Sequence, residues 1–240
     1  MKVMLLAAGH GKRMQPLTET TPKPLLQAGG RALIEWQLLR LADCGFREIV
    51  INHHHLGQQI EQVLGDGSRY GVQIQYSPEA QLLETAGGII QALPLLGNAP
   101  FMVVNSDVWT DFDFDRLRSV SVSDSTSDTL AHLVLVPNSS HHPTGDFLLD
   151  GDGRVRDRDG DCTTPARTFS GISVLHPALF AGLSPAPMAL APLLVRAMKN
   201  LQVSGELYRG QWQDIGTPQR LQALDSVLRS KAEAKPSESR

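Results

Sequence analysis

Leu5-Leu6-Ala7-Ala8-Gly9-His10-Gly11-Lys12-Arg13-Met14-Gln15-Pro16-Leu17-Thr18, followed by Thr21-Pro22-Lys23-Pro24-Leu25, is the stretch that decides the reading. An apolar run enters a short loop carrying two glycines and two cations, and a third cation, Lys23, sits between two prolines. Glycine has no Cβ, so backbone N–H groups at such a strand end can close on an anion, and the cations offset its charge. A polyphosphate site at the start of a βα unit is therefore expected. Two familiar phosphate loops are excluded by spacing. Met14 stands where the dinucleotide fingerprint needs a third glycine, and the Gly-Lys-Ser/Thr ending of a Walker A loop is missing. Read only as Gly-x-Gly, the stretch is equally a plain βα turn.

Working outward, residues 3–7 read as a buried strand, and Ile34, Leu38 and Leu41 fall at helical spacing. Residues 49–51 and 72–76 read as strands, with a helix marked by Leu56, Ile60 and Val63 between them. A helix over 85–93, opened by Glu84 and Thr85, precedes a strand over 101–105. Alternating strands and helices predict a parallel sheet with right-handed crossovers and helices on both faces. Ligands of such sheets gather at the carboxyl ends of the strands, which places residues 9–13 and 105–107 on one rim. The second half is less regular. Strands are expected over 133–136, 146–149 and 168–175, and helices over 190–201 and 218–228, the latter with Leu221, Leu224 and Leu228 on one face. Residues 119–129, rich in Ser and Asp, read as a mobile loop. A single domain over 1–230 with a frayed tail at 231–240 is expected.

The whole chain sets bounds on function. With 240 residues, 41% of them hydrophobic and 20% charged, it can bury a full core. A net charge of −3 excludes a nucleic-acid binder that relies on a basic surface. Cys44 and Cys162 lack metal spacing, and Cys44 falls within an amphipathic pattern; no disulfide framework is expected, in keeping with the cytoplasm. No signal peptide or membrane span is expected.

Asp107 ends the apolar run Phe101-Met102-Val103-Val104-Asn105-Ser106. A carboxylate there suits Mg²⁺ held by one or two carboxylates and phosphates, and suits a turn or helix N-cap equally well. Asp214, in Trp212-Gln213-Asp214-Ile215-Gly216-Thr217-Pro218, reads by itself as a turn residue before a helix. Glu84-Thr85-Ala86-Gly87-Gly88 reads as a helix start with small residues for close packing. Gly145-Asp146-Phe147 and Phe169-Ser170-Gly171-Ile172 suit sugar hydroxyls, or a strand end and a bulge. His53-His54-His55 on an extended chain point to alternate sides and are expected as a solvated strand-end cluster rather than a metal site. His141-His142 is either part of an acceptor pocket or a surface loop.

The N-terminal string and its Pro-Lys-Pro element together resemble the signature of the sugar-1-phosphate nucleotidyltransferases, the nucleoside-diphosphate-sugar pyrophosphorylases. The resemblance implies an α/β, Rossmann-like fold with a mixed, mostly parallel central sheet flanked by helices. It implies catalysis by Arg13, Lys23 and Asp107, with Mg²⁺ on Asp107 and Asp214. Nucleotide contacts are implied for Leu6, Ala8, Gly9, Gly11, Lys12, Arg13, Lys23, Glu79, Glu84, Thr85 and Asn105, and sugar contacts for Gly145, Asp146, Ser170 and Glu206. Ser106 and Ala86 stand where the family commonly has glycine. Residues 105–113, His141-His142 with Gly145-Asp146-Phe147, and residues 169–177 and 204–206 narrow the resemblance to members that use UTP and N-acetylmuramate 1-phosphate in peptidoglycan recycling. A uridylyl-, guanylyl- or thymidylyltransferase for another hexose or heptose 1-phosphate is the alternative within the family. An inactive sugar-nucleotide-binding regulatory subunit is the alternative outside it, and the joint presence of Arg13, Lys23, Asp107 and Asp214 weighs against that. In such a reaction a phosphate anion of the sugar attacks the α-phosphorus of the triphosphate, so no poised general base is needed and positioning and electrostatics carry the rate.

Overall fold

A computed structural model describes residues 1–123, 129–159 and 164–233. At its centre is β1 (Val3–Leu6), where Val3, Met4 and Leu5 are completely buried. Side chains alternate across a strand, so Val3 and Leu5 enter one core and Met4 enters the core on the opposite face. The chain continues through β2 (Gln27–Ala28), β3 (Arg31–Ala32), α1 (Leu33–Asp43), β4 (Glu48–His53), α2 (Gly57–Leu64), β5 (Gln73–Pro78), α3 (Glu84–Leu96), β6 (Phe101–Asn105) and β7 (Val108–Thr110). Then follow β8 (Ala131–Val136), β9 (Leu148–Leu149), β10 (Val155–Arg156), β11 (Thr168–Leu175), α4 (Ala191–Lys199), β12 (Val203–Leu207), β13 (Trp212–Asp214) and α5 (Pro218–Glu233).

The seven-stranded sheet has the order β12-β8-β11-β6-β1-β4-β5. Its neighbours are parallel except at β11, which runs against both β6 and β8. The fold is thus α/β with a mixed, mostly parallel sheet, as the sequence implied. Ile34, Leu38 and Leu41 of α1 join Ile60 and Leu64 of α2 in the core that holds Val3 and Leu5. Ile89 and Ile90 of α3 join Leu193 and Leu194 of α4 in the core that holds Met4. A third apolar cluster packs Met14, Leu26, Ala28 and Leu33 against Ile215, Leu224 and Leu228. There α5 lies on β2, and the Asp225 carboxylate accepts the Gly29 N–H at 2.8 Å.

Several boundaries differ from the expected ones. The first strand stops at Leu6 because the Ala7 N–H turns to the Asn52 side chain at 3.0 Å. Leu56 is not within α2 but precedes it with φ +54°, and Val63 is 40% exposed; Leu64 fills the core in its place. The fourth helix ends at Lys199, leaving Leu201 outside at φ +58°. The strand expected over 146–149 shrinks to Leu148–Leu149, with Phe147 only bridging to Arg167. The short strands β2, β3, β7, β10, β12 and β13 carry no periodic signal of their own. Within the loop at 119–129, Val122 is buried and the Ser123 N–H donates to the Thr129 carbonyl at 2.9 Å; residues 124–128 lie outside the described residues. The last helix continues through Glu233, and the remainder of the expected tail also lies outside them. Among the described residues no helix is long and apolar enough to cross a membrane.

Candidate active site

Leu6 pairs with Asn52 of β4 on one side and with Asn105 of β6 on the other, so three strand ends stand in a row. The loops that leave them enclose a cavity of about 420 Å³. Its walls are Leu6, Ala7, Ala8 and Gly9 at the end of β1, Asn52 in β4, Leu82 before α3 with Glu84 and Thr85 in its first turn, Asn105, Ser106 and Asp107 at the end of β6, and Lys23, Pro24 and Ala189. Ser106, in place of the expected glycine, is buried and donates its hydroxyl to the Leu6 carbonyl at 2.6 Å, tying two strand ends together. Ala86 is buried in the core, and its N–H donates to the Met188 carbonyl at 2.9 Å.

The signature loop turns at Gly11, whose φ is +62°. A Cβ there would lie 2.8 Å from Thr18 Cγ2 and 3.2 Å from Lys23 Cβ, so both the dihedral and the space require glycine. One tight turn, Lys12–Met14, follows. Met14 is buried as its anchor, while Lys12 and Arg13 are exposed. Gly9, Gly11, Lys12, Arg13, Lys23, Asp107 and Gly216 line a second cavity of about 210 Å³. Gly216 lets the Arg13 guanidinium approach: a Cβ there would be 3.2 Å from Nη2.

The two expected metal ligands are 107 positions apart in sequence and neighbours in space. Strands β7 and β13 pair antiparallel with Asp214 opposite Val108, and the Ile215 N–H donates to the Asp107 carbonyl at 2.9 Å. Lys23 Nζ is hydrogen-bonded to Asp107 Oδ2. Asp214 Oδ2 accepts from Arg220 Nη1 at 2.6 Å, one turn into α5. Both carboxylates, with Arg13, Asn105, His141, His142, Thr168, Phe169, Ser170 and Trp212, line a third cavity of about 340 Å³. Asp107 belongs to all three cavities and so marks where they meet. Asp107 and Asp214 both face this cavity, so they are the residues here that could hold a divalent cation, which is usually bound by one or two carboxylates together with water and phosphate oxygens.

The acceptor-side expectations divide. Ser170 lines the third cavity, and the Trp212 indole N–H donates to its carbonyl at 3.0 Å. Asp146 stands just behind, with Oδ1 3.0 Å from His142 Nε2 and Oδ2 accepting the Phe169 N–H at 2.7 Å. Gly145 is buried against Asn138, with φ +64°. Glu206 is not brought to this group. It lies on edge strand β12, paired with Arg116, with His132 Nε2 3.9 Å away. The His132 imidazole and the Arg116 guanidinium hold its carboxyl below the usual glutamate range.

The histidine triplet is not a solvated cluster. His53 is buried, with Nε2 2.7 Å from Glu61 Oε1. His54 Nδ1 lies 2.9 Å from the Glu79 carbonyl oxygen, and His55 Nε2 lies 3.1 Å from that of Thr18. The His10 ring of the signature loop sits 5.3 Å from His54 and 5.4 Å from His55. Partial burial, then His54, His55 and Lys12, hold the His10 imidazole below its ordinary value. Sequence reasoning missed Asn52, Ala189 and Arg220. Arg220 alone carried a signal, one turn past the Thr217-Pro218 helix start.

The chain matches the nucleotidyl transferase family over residues 2–157 and belongs to it. Among particular relatives, it is 53% identical over 229 residues to N-acetylmuramate alpha-1-phosphate uridylyltransferase of Neisseria meningitidis, covering 95% of this chain and 98% of that protein. The protein of the same name from Caulobacter vibrioides is 34% identical, covering 94% and 96%. Among solved structures, HddC from Yersinia pseudotuberculosis, complexed with GMP-PN, superposes with a TM-score of 0.75 at 17% identity, over 94% of this chain and 98% of that one, which shows the common fold.

Proposed function

We propose that this chain transfers the uridylyl group of UTP to N-acetylmuramate α-1-phosphate, forming UDP-N-acetylmuramate and pyrophosphate, in the cytoplasm as a step of peptidoglycan recycling. The observation that carries the reading is the 53% identity, over nearly the full length of both chains, to an enzyme named for that reaction. The geometry supports it. The 420 Å³ cavity, walled by the signature loop and the start of α3, suits the nucleoside, and the third cavity, with its imidazoles and Ser170, suits the sugar.

In the reaction an oxygen of the sugar phosphate bonds to the α-phosphorus while the bond from that phosphorus to the pyrophosphate oxygen breaks. The nucleophile is already anionic near neutral pH, so the barrier lies in bringing anions together and in charge gathering on the leaving group. Lys23 borders the first and second cavities and Arg13 the second and third, so the two cations bracket the junction where that charge develops. Asp107 and Asp214 would hold Mg²⁺, which when bound supplies positive charge to the phosphate oxygens. The lactyl carboxylate of N-acetylmuramate needs a donor or cation, because a buried unpaired carboxylate is costly. His141, 2.9 Å from Arg220 Nη1, stands on the wall of the third cavity for that role.

A competition assay tests this. With UTP and equal N-acetylmuramate 1-phosphate and N-acetylglucosamine 1-phosphate, UDP-N-acetylmuramate is expected to predominate. Predominance of another sugar nucleotide, or a preference for GTP or dTTP, would overturn the substrate assignment.

A further inference from the structure

Behind the wall of the 420 Å³ cavity lies a buried carboxylate held by neutral groups. Glu79 is 5% exposed. Its Oε1 accepts from Asn52 Nδ2 at 2.7 Å, and its Oε2 accepts the Leu83 N–H at 2.9 Å. Asn52, 2% exposed, uses its own Oδ1 to accept the Ala7 N–H at 3.0 Å. The three bonds have a single polarity. They run from two backbone donors toward one group that can only accept, so the Asn52 amide has one satisfied orientation; turned over, it would set donor against donor at Ala7. Burying a carboxylate without a cation is costly, and the two bonds that Glu79 accepts offset that cost.

The segments joined are three separate walls of the cavity: Ala7 after β1, Asn52 near the end of β4, and the entry into α3 that presents Leu82, Glu84 and Thr85. The packing around the pair is equally specific. Gly88, in the second turn of α3, faces both side chains; a Cβ there would lie 2.5 Å from Glu79 Oε1 and 2.9 Å from Asn52 Nδ2. We infer that Glu79 and Asn52 are positioning residues, a buried relay that fixes the distance between the walls of the nucleotide cavity and so sets affinity for the triphosphate without touching the acceptor. Glu79 acts here through Asn52 and Leu83 rather than by reaching the base itself. The inference rests on the proposal that this cavity takes the nucleotide.

Polarity supplies the test. Glu79→Gln replaces one acceptor by a donor and leaves donor facing donor at Leu83, at Asn52 or, with the Asn52 amide turned over, at Ala7. Asn52→Asp alone sets two carboxylates side by side. The double variant Asn52→Asp with Glu79→Gln restores every bond, because the new amide donates to the new carboxylate and still accepts from Leu83, at unchanged net charge. Each single variant is expected to raise the KM for UTP, and its Kd by titration calorimetry, about tenfold or more, with the acceptor KM within about twofold of wild type. The double variant is expected to return to within about threefold of wild type. Equal changes in both KM values, or a double variant no better than the worse single one, would overturn the relay. Where a single variant fails to fold, Gly88→Ala crowds the same pair on a helix that favours alanine, and a wild-type KM for UTP in that variant would overturn it too. Failure of the underlying reading looks different: wild-type protein would then neither bind UTP nor release pyrophosphate from it.

Discussion

The two sides of the cleft are built by opposite strategies. The side proposed for the nucleotide comes from loops at the ends of parallel strands, and its glycines and cations, Gly9, Gly11, Lys12, Arg13 and Lys23, lie close together in sequence. The acceptor side gathers His141, Ser170, Trp212 and Asp214 from segments far apart in sequence, through a two-stranded ladder and an irregularity in the β11–β8 register between Phe169 and Ile172. A contiguous loop writes its function into a local string of residues. A side assembled by pairing of distant strands does so only once the fold is known.

Asp107 stands where the sides meet, so its removal is expected to be the most damaging. Asp107→Asn should lower Mg²⁺-dependent pyrophosphate release by about 10³-fold or more with the circular dichroism spectrum retained. Full turnover in a folded variant would move the junction elsewhere. Next come the cations. Lys23→Ala and Arg13→Ala should each cost about 10²–10³-fold in kcat, and a change in the KM for UTP alone would show that they bind the ground state only. On the acceptor side, His142→Ala should raise the sugar-phosphate KM about tenfold while leaving the UTP KM unchanged. Equal effects on both would mean that the two sides are not separable.

The smallest effect expected is at Glu206, which the structure sets apart from both sides. Its carboxyl is held below the ordinary value of 4.5 in the folded chain. The unfolded chain therefore takes up a proton first. The stabilisation from its ionised form is complete above that ordinary value and is lost as pH falls below it. Thermal unfolding of wild type should fall more steeply with acidification than that of Glu206→Gln, with both sugar-phosphate KM values alike. A raised acceptor KM in Glu206→Gln would extend the acceptor side out to the edge strand.

How far the sequence could be read follows the same division. The strand over 101–105 was legible because a continuous apolar run is what a doubly covered sheet requires, and the cations of the signature loop were legible because glycine and charge coincide there. Asp214 could be placed only by resemblance, since β13 has three residues and no periodicity, and its partner Val108 lies in an equally short strand. The surroundings of Glu206 could not be read, because its neighbours Arg116 and His132 come from elements that no local pattern brings together. Asn52 went unread because an amide inside an apolar strand looks like an exception until its bonds to Ala7 and Glu79 are visible.

The packing of α5 against Met14 and the β2–β3 hairpin has a consequence for how the enzyme comes into being on the ribosome. The phosphate loop emerges well before α5, but its anchor Met14 shares a cluster with Ile215, Leu224 and Leu228, and the second carboxylate is steadied by Arg220. A nascent chain can thus begin to fold its central sheet well before it has a finished site. A finished site waits on α5, and a chain cut short before that helix would carry its phosphate signature without the packing on Met14 and without the Arg220 partner of Asp214.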